Sequence, residues 1–466
     1  MPRHSAQPPR KKSHTPVVVG CIAALVLLVG GFFAVRALLP QYQKATSSQS
    51  QAASASSQQT QATQNAQSSS NDKGGSKEGA SSSSEAQPKS NAEVPKRTVA
   101  PASINVMMIG DVLMHDEIID SGVQSDGSYN FDFVYDNIKE YIDAADWRIL
   151  NQETVMGDPS IGYHLTMGAA GPKMNTPTAL ADTEARFGFN TILKATNHTL
   201  DLGYNGLGHE LDYWKSTYPN IPVVGVSNPN DPDDKSRDYV NNVYIFEKDG
   251  FKVGILNYTW ATNENFDATT DATYVSYMSE DKIRADVEKA RAAGAEMLVA
   301  CPHWGIEYDT QPSEEELTYS KLFCELGVDL ILGAHPHILQ PVEVLQNAEG
   351  HKTVCFYSLG NYVAASLMDA NSLIGGIARA TLNRAEDGTY SVSAASLVPV
   401  VICHTYGPNM TAFPITKWTN DLAAQGTRPQ LTPDFANSFC ADVLGQGYDA
   451  ASGTFTLDVN GKARTV

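Results

Sequence analysis

The sequence is most tightly constrained at Val328-Asp329-Leu330-Ile331-Leu332, which runs straight into Gly333-Ala334-His335-Pro336-His337. A short apolar run closed by glycine reads as a buried strand emptying into a loop. The loop carries two imidazoles on either side of a proline. That proline has a fixed φ and restricts the residue before it, so it is expected to pre-position the rings. Neutral imidazole is the commonest side-chain ligand for divalent transition ions. Two histidines two apart can still be accidental. Their weight comes from company, because four other strand ends also finish in ligand-type residues.

Those ends emerge when the chain is followed from Ile104. Ile104 to Ile109 is a strand ending in Gly110-Asp111, and Phe131 to Ala145 has helical spacing. Arg148-Ile149-Leu150 runs into Asn151-Gln152-Glu153. A helix from about Thr176 to Phe187 leads to a strand over 190–195 that ends in Thr196-Asn197-His198. Further strands are predicted at Val223 to Val226, Lys252 to Leu256 and Met297 to Cys301, the last ending at Pro302-His303-Trp304-Gly305. Ser279 is positioned to cap a helix over 280–293 that Gly294 stops. Pro312 is placed to open another, with Glu314, Glu315 and Glu316 in its first turn and Gly327 beyond its end. Val354 to Tyr357 is one more strand. Ile377 to Leu382 and Tyr390 to Val401 form a hairpin across Glu386-Asp387-Gly388. Strand–helix alternation followed by antiparallel strands indicates an α/β sandwich over residues 101–402, with no internal repeat. Residues 403–466 carry no clear pattern.

In open α/β sheets ligands gather beyond the carboxyl ends of strands. Here the successive exits supply Asp111, Glu153, Asn197 with His198, His303, and His335 with His337. A single structural zinc needs three or four ligands, usually with thiolates. A larger mixed oxygen–nitrogen set suits two ions that share a bridging carboxylate and leave a position open for water and substrate. Taken singly, each residue has an ordinary explanation: a turn aspartate, a capping glutamate, a turn asparagine, a core histidine. Their fall at consecutive strand exits does not. His198-Thr199-Leu200-Asp201 adds a carboxylate three residues beyond an imidazole, suited to orient it as a general acid or base. Alternatively, Asp201 caps the helix that starts near Asn205.

The amino-terminal part has a different character. Arg3, Arg10, Lys11 and Lys12 precede an uncharged run from Val17 to Val35, which at helical rise spans roughly 28 Å, about a bilayer's hydrocarbon thickness. The positive flank keeps that end cytoplasmic, so 1–16 read as a basic tail, 17–39 as a single-pass anchor, and the remainder as exported. A cleaved signal peptide is the rival, but the run is long for one and no A-x-A site closes it. Residues 40–100 are almost wholly Ser, Gln, Ala, Asn, Gly and Lys, the composition of a disordered linker, with an r.m.s. reach of roughly 40 Å. The net charge of −19 argues against nucleic acid as a partner. Of six cysteines, Cys21 lies in the apolar run and the other five are scattered without a C-x-x-C pair. This does not suggest a disulfide framework.

Read in order, Gly110-Asp111, Asn151-Gln152-Glu153, Asn197-His198-Thr199-Leu200-Asp201-Leu202-Gly203, His303-Trp304-Gly305-Ile306-Glu307-Tyr308, Gly333-Ala334-His335-Pro336-His337 and Tyr357-Ser358-Leu359-Gly360-Asn361-Tyr362 resemble the motif series of the CapA family. Its members are associated with poly-γ-glutamate capsule synthesis and are related to calcineurin-like metallophosphoesterases. The resemblance implies a four-layer metallophosphatase-like sandwich of two mixed β-sheets flanked by helices. It implies two divalent ions, Mn, Fe or Zn. Asp111 and His337 would hold one, and Asn197, His303 and His335 the other, with Glu153 bridging. His198 would act as general acid, oriented by Asp201. The sequence departs from the pattern at Leu113, where the metallophosphoesterases have histidine. It departs also at Glu153 in place of Asp, and at Thr196 in place of the first Asn of an Asn-Asn-His motif.

Two functional expectations follow. One is an anchored extracellular metal-dependent hydrolase or transferase acting on a phosphoester or amide of an anionic envelope polymer or its precursor. The other is a non-catalytic polymer-binding scaffold that couples membrane synthase subunits to export.

Overall fold

In the computed structural model, residues 99–157, 159–168, 171–365 and 369–466 are described. The expected tail, anchor and nearly all of the linker lie outside them. Among the described residues, no helix is long and apolar enough to cross a membrane.

Strands β1 (Ala102–Val112), β2 (Trp147–Gln152) and β3 (Thr191–Leu193) run parallel in a ten-stranded sheet. Strands β4 (Phe251–Thr259), β5 (Met297–His303), β6 (Leu330–Leu332) and β7 (Lys352–Phe356) form the parallel centre of a seven-stranded sheet. Antiparallel Tyr244–Lys248 and Val342–Gln346 lie on either side of that centre. The chain then returns to the first sheet through β8 (Asn361–Val363), β9 (Ile374–Arg384) and β10 (Tyr390–Ile402). β9 pairs antiparallel with β1 as far as Ile109, where β8 takes over as a parallel neighbour and sets Asn361 beside Asp111.

Strand periodicity explains the layering, because alternate side chains face opposite ways. Val253, Ile255, Met297, Val299, Cys301, Leu330, Leu332, Val354 and Phe356 share one apolar core with the first sheet. Their neighbours Leu256, Leu298, Ala300, Ile331 and Cys355 pack instead with Ile283, Val287, Leu322 and Phe323 of two covering helices. Helical residues Ile118, Val134, Leu180, Leu207 and Trp214 join the first sheet's core. The result is a layered α/β fold of two mixed sheets with helices packed on them. The five described cysteines are buried and unpaired.

Helix α1 (Gly203–Thr217) follows β3, and α2 (Glu280–Ala292) begins where the Ser279 hydroxyl accepts the Lys282 N–H. The opening of α3 (Glu314–Glu325) differs from expectation. Its cap is Ser313, not Pro312, because Ser313 and Glu316 complete a reciprocal capping box. The stretch from Phe131 to Ala145 is not one helix but Asp132–Tyr135, a 3₁₀ turn Asp136–Ile138, and Lys139–Asp143. The break coincides with long-range contacts: the Tyr362 and Thr411 hydroxyls both donate to the Val134 carbonyl, at 2.6 and 2.9 Å. The residues after Cys403 do have structure. Ala412–Pro414 pairs with β10 and Thr454–Leu457 with β10 again, while Arg464–Thr465 extends the second sheet.

Candidate metal centre

The carboxyl ends of β1, β2 and β3 meet those of β5 and β6, and backbone packing holds the exits together. At Gly110 a β-carbon would fall 1.9 Å from the Gly360 carbonyl oxygen, and at Gly333 one would fall 2.0 Å from that of Tyr357. Only glycine permits these approaches. They lock the segment 357–361 against both sheets. His335 and His337 take φ of +98° and +58°, conformations that side chains rarely adopt. The expectation that Pro336 sets the first ring is therefore corrected, since the residue before a proline favours extended backbone. Contacts on either side impose this geometry: the His335 N–H donates to Asp111 Oδ2 (3.3 Å), and the Tyr308 N–H to the Pro336 carbonyl (2.7 Å). Backbone strain of this kind gathers at functional sites.

All eight residues singled out by sequence converge, and all are buried: Asp111, Glu153, Asn197, His198, Asp201, His303, His335 and His337. Glu153 Oε1 is the hub, 3.3 Å from His303 Nε2, 3.7 Å from His337 Nε2 and 4.0 Å from His198 Nε2. Asp111 Oδ2 lies 3.2 Å from His337 Nδ1, and Asn197 Oδ1 lies 2.9 Å from His303 Nε2. The rings of His303 and His335 are 4.8 Å apart. His198 Nδ1 donates to Asp201 Oδ2 at 2.7 Å, and the same oxygen accepts the Met174 N–H. Asp201 thus orients an imidazole. It does not cap α1, whose N-cap position, Leu202, carries no side-chain hydrogen bond.

The electrostatics follow from burial and charge. Burial opposes ionisation of Glu153, yet His337 and His303 hold its carboxyl well below the usual range. Burial likewise opposes charge on His337, but Glu153 and Asp111 push it up to about 10. His335 is driven well below its ordinary value by burial and then by the neighbouring rings of His303 and His337. Burial opposes charge on His198 too, but the hydrogen bond to Asp201 together with the charges of Asp201 and Glu153 raises it.

Among the described residues, three side-chain clusters can hold a cation: Glu153/His303/His335, Asp111/Glu153/His337 and Glu307/His335/His337. Glu153 belongs to the first two, as a bridging carboxylate must. Both Glu153 oxygens and His335 Nδ1 are buried without a hydrogen-bond partner. Buried polar atoms are nearly always paired, so this concentration of unpaired oxygen and nitrogen atoms in one place fits a divalent ion. The oxygen–nitrogen mixture suits Mn, Fe or Zn.

Sequence reasoning left out several participants. Asn151 Nδ2 donates to Asp111 Oδ1 at 2.7 Å, and Asn361 Oδ1 lies 3.0 Å from His337 Nδ1. Glu307 reaches the two histidines of the His-Pro-His loop. All three stand inside the motifs already noted, which was the available signal. His115 gave none. It accepts the Ala365 N–H at Nδ1 (3.0 Å), and burial followed by His198 and His337 lowers it to about 4.

Residues 105–366 match the family described as bacterial capsule synthesis protein PGA_cap. The chain is 26% identical over 279 residues to the capsule biosynthesis protein CapA of Bacillus anthracis, covering 59% of this chain and 63% of that protein. It is 24% identical over 275 residues to the PGA biosynthesis protein CapA of Bacillus subtilis (strain 168), covering 58% and 66%. The chain therefore spans less than two thirds of either relative. Among solved structures it is similar to the calcineurin-like phosphoesterase YfkN from Bacillus subtilis. There the TM-score is 0.37 and the identity 14%, with 72% of this chain and 99% of that one covered.

Proposed function

We propose, from the premise that this chain belongs to the bacterial capsule synthesis protein PGA_cap family, that its folded head is a divalent-metal-dependent hydrolase or transferase in the synthesis of a capsule or other envelope polymer. The observation that carries this reading is the Glu153 carboxylate, fully buried, ringed by histidines and with neither oxygen hydrogen-bonded. Asp111 and His337 would hold one ion, Asn197, His303 and His335 would hold the other, and Glu153 would serve both. Such ions supply Lewis-acid polarisation of a phosphoryl or carbonyl oxygen and a lowered pKa for water.

The protein's own share is proton handling and exclusion of water. His198, held by Asp201 at Nδ1, presents Nε2 on the Glu153 side of the site. With its affinity for a proton raised, it is the group to protonate a leaving oxygen or nitrogen. Asp201 fixes the tautomer. The substrate class is an anionic polymer or its precursor, a phosphoester or a γ-glutamyl amide. The amino-terminal run anchors the protein in the cell membrane with the head outside, near membrane synthase subunits.

The test is elemental analysis of the full chain purified in detergent, which should hold close to two equivalents of Mn, Fe or Zn. A protein that neither contains such an ion nor takes one up on dialysis removes the reading. Given metal, His198→Ala should lower turnover of phosphodiester or γ-glutamyl substrates by about 10²–10⁴-fold with metal content intact. Unchanged polymer output at full metal content would favour the scaffold role instead.

A further inference from the structure

The half of the site built on Asp111 has an unusual donor count. β1 supplies Asp111, but its next outlet, Leu113, packs in an apolar cluster with Met174 and Ala364 and offers no donor. His337 and the shared Glu153 complete the cluster of acids and imidazoles. The other ion would have four donors, Glu153, Asn197, His303 and His335, and this one has three.

We infer that Asn361 is a ligand of this ion, supplying from β8 the donor that β1 lacks at position 113. This rests on the metal-dependent reading above. β8 runs parallel to the end of β1 with Asn361 directly paired to Asp111, so the two side chains leave neighbouring strands at one level. Asn361 is fully buried. Its amide orientation is set by its surroundings. Nδ2 donates to the Ser372 carbonyl (2.9 Å) and the His337 carbonyl (3.3 Å), two groups that can only accept. Oδ1 is therefore turned the other way, to within 3.0 Å of His337 Nδ1. Asp111 Oδ2 stands 3.2 Å from that same nitrogen. Ligand bonds of about 2.0–2.2 Å set at right angles place neighbouring donors about 3 Å apart. Both oxygens thus stand from His337 Nδ1 at the spacing of neighbouring ligands around one centre. A proton on His337 Nδ1 would give a forked hydrogen bond to the same two oxygens, so proton and cation compete for one position.

The backbone explains why an asparagine can serve here. The Asp111 N–H donates to the Gly360 carbonyl at 2.9 Å, and the close approach at Gly110 allows no slack between β1 and the segment entering β8. Asn361 cannot retreat from Asp111 without breaking that contact. The amide oxygen is neutral, so it completes the shell without adding to the negative charge of Asp111 and Glu153.

The experiment is cobalt(II) titration of the full-length protein, stripped of metal, followed by elemental analysis and by the visible absorption of the bound ion. Wild type should take up two equivalents. Asn361→Leu should weaken one of them at least 100-fold and leave the other unchanged, whereas Asn197→Ala should weaken the other. Asn361→Asp puts a charged oxygen in place of the neutral one and should tighten the same ion while shifting its absorption. Two ions bound by Asn361→Leu with unaltered affinity and spectrum overturn the inference and leave the proposed function standing. A wild type that binds no cobalt overturns both. Should Asn361→Leu fail to fold by circular dichroism, Asn361→Asp decides, since a ligand cannot gain a charge without changing the affinity of its ion.

Discussion

Glu153 and Glu210 are two fully buried carboxylates tied to one short stretch of chain, and they are treated in opposite ways. Glu210, on α1, is completely paired. Lys194 Nζ lies 3.1 Å away, Gln152 Nε2 donates at 2.5 Å and the Met156 N–H at 3.0 Å. Glu153 sits between those last two residues in sequence, yet neither of its oxygens has a hydrogen-bond partner. An unsatisfied buried acceptor costs about 1–3 kcal/mol and more when charged, so a fold retains one only where something else is gained. Glu210 braces the loop. Glu153 is what the loop is braced to present.

The comparison is broken most severely at the paired end. Lys194→Met leaves the Glu210 charge buried without its counter-ion, which should cost about 3–5 kcal/mol in urea unfolding. Lys194→Met with Glu210→Leu removes the buried charge and should recover part of that loss, the remainder being the unpaired Gln152 amide and Met156 N–H. A single variant as stable as wild type would mean that Lys194 and Glu210 do not hold the loop. The unpaired end should respond differently. Glu153→Gln should abolish the stabilisation that Mn confers on wild type, about 2.7 kcal/mol at an ion concentration 100-fold above its Kd. In excess chelator the same variant should lose far less stability than Lys194→Met. If thermal melts show the full metal-dependent increment in Glu153→Gln, Glu153 does not hold the ion.

Much of this contrast was legible beforehand, and the rest was not for definite reasons. The strand exits announce themselves because a parallel strand covered on both faces must be apolar throughout, so the first polar residue beyond it stands out. Asp111, Glu153, His303 and His335 were found that way. Asn361 stood inside a noted motif without a role, because its role comes from a pairing across some 250 residues with Asp111. Lys194 was passed over inside Thr191-Ile192-Leu193-Lys194-Ala195, although a lysine in a run otherwise suited to burial asks for a buried partner. The helix expected over Phe131 to Ala145 is a similar case. Its spacing was correct, but it breaks where hydroxyls from positions 362 and 411 donate to the Val134 carbonyl. Long-range polar contacts, not apolar periodicity, account for the misses.

Glu316 lies between the two extremes and gives the smallest of the expected effects. One oxygen, Oε2, accepts the Ser313 N–H at 2.6 Å in the capping box of α3, while Oε1 has no partner. Burial pushes its pKa up to about 7. An acid whose folded pKa exceeds that of the unfolded chain, 4.5, binds its proton more tightly when folded. Its contribution to stability is therefore complete below pH 4.5 and is lost as pH rises through 7. Linkage puts the loss between pH 5 and 7 at about 2 kcal/mol. Glu316→Gln preserves an acceptor for the Ser313 N–H but cannot ionise, so its stability should fall less steeply over that interval than that of wild type. Asp329, raised to about 6 by burial, and Glu184, also raised by burial, contribute the same sign in both proteins. The informative quantity is therefore the difference between the two unfolding profiles. Parallel profiles would show that Glu316 stays ionised across the range and belongs with Glu210, as a carboxylate whose neighbours already satisfy its charge.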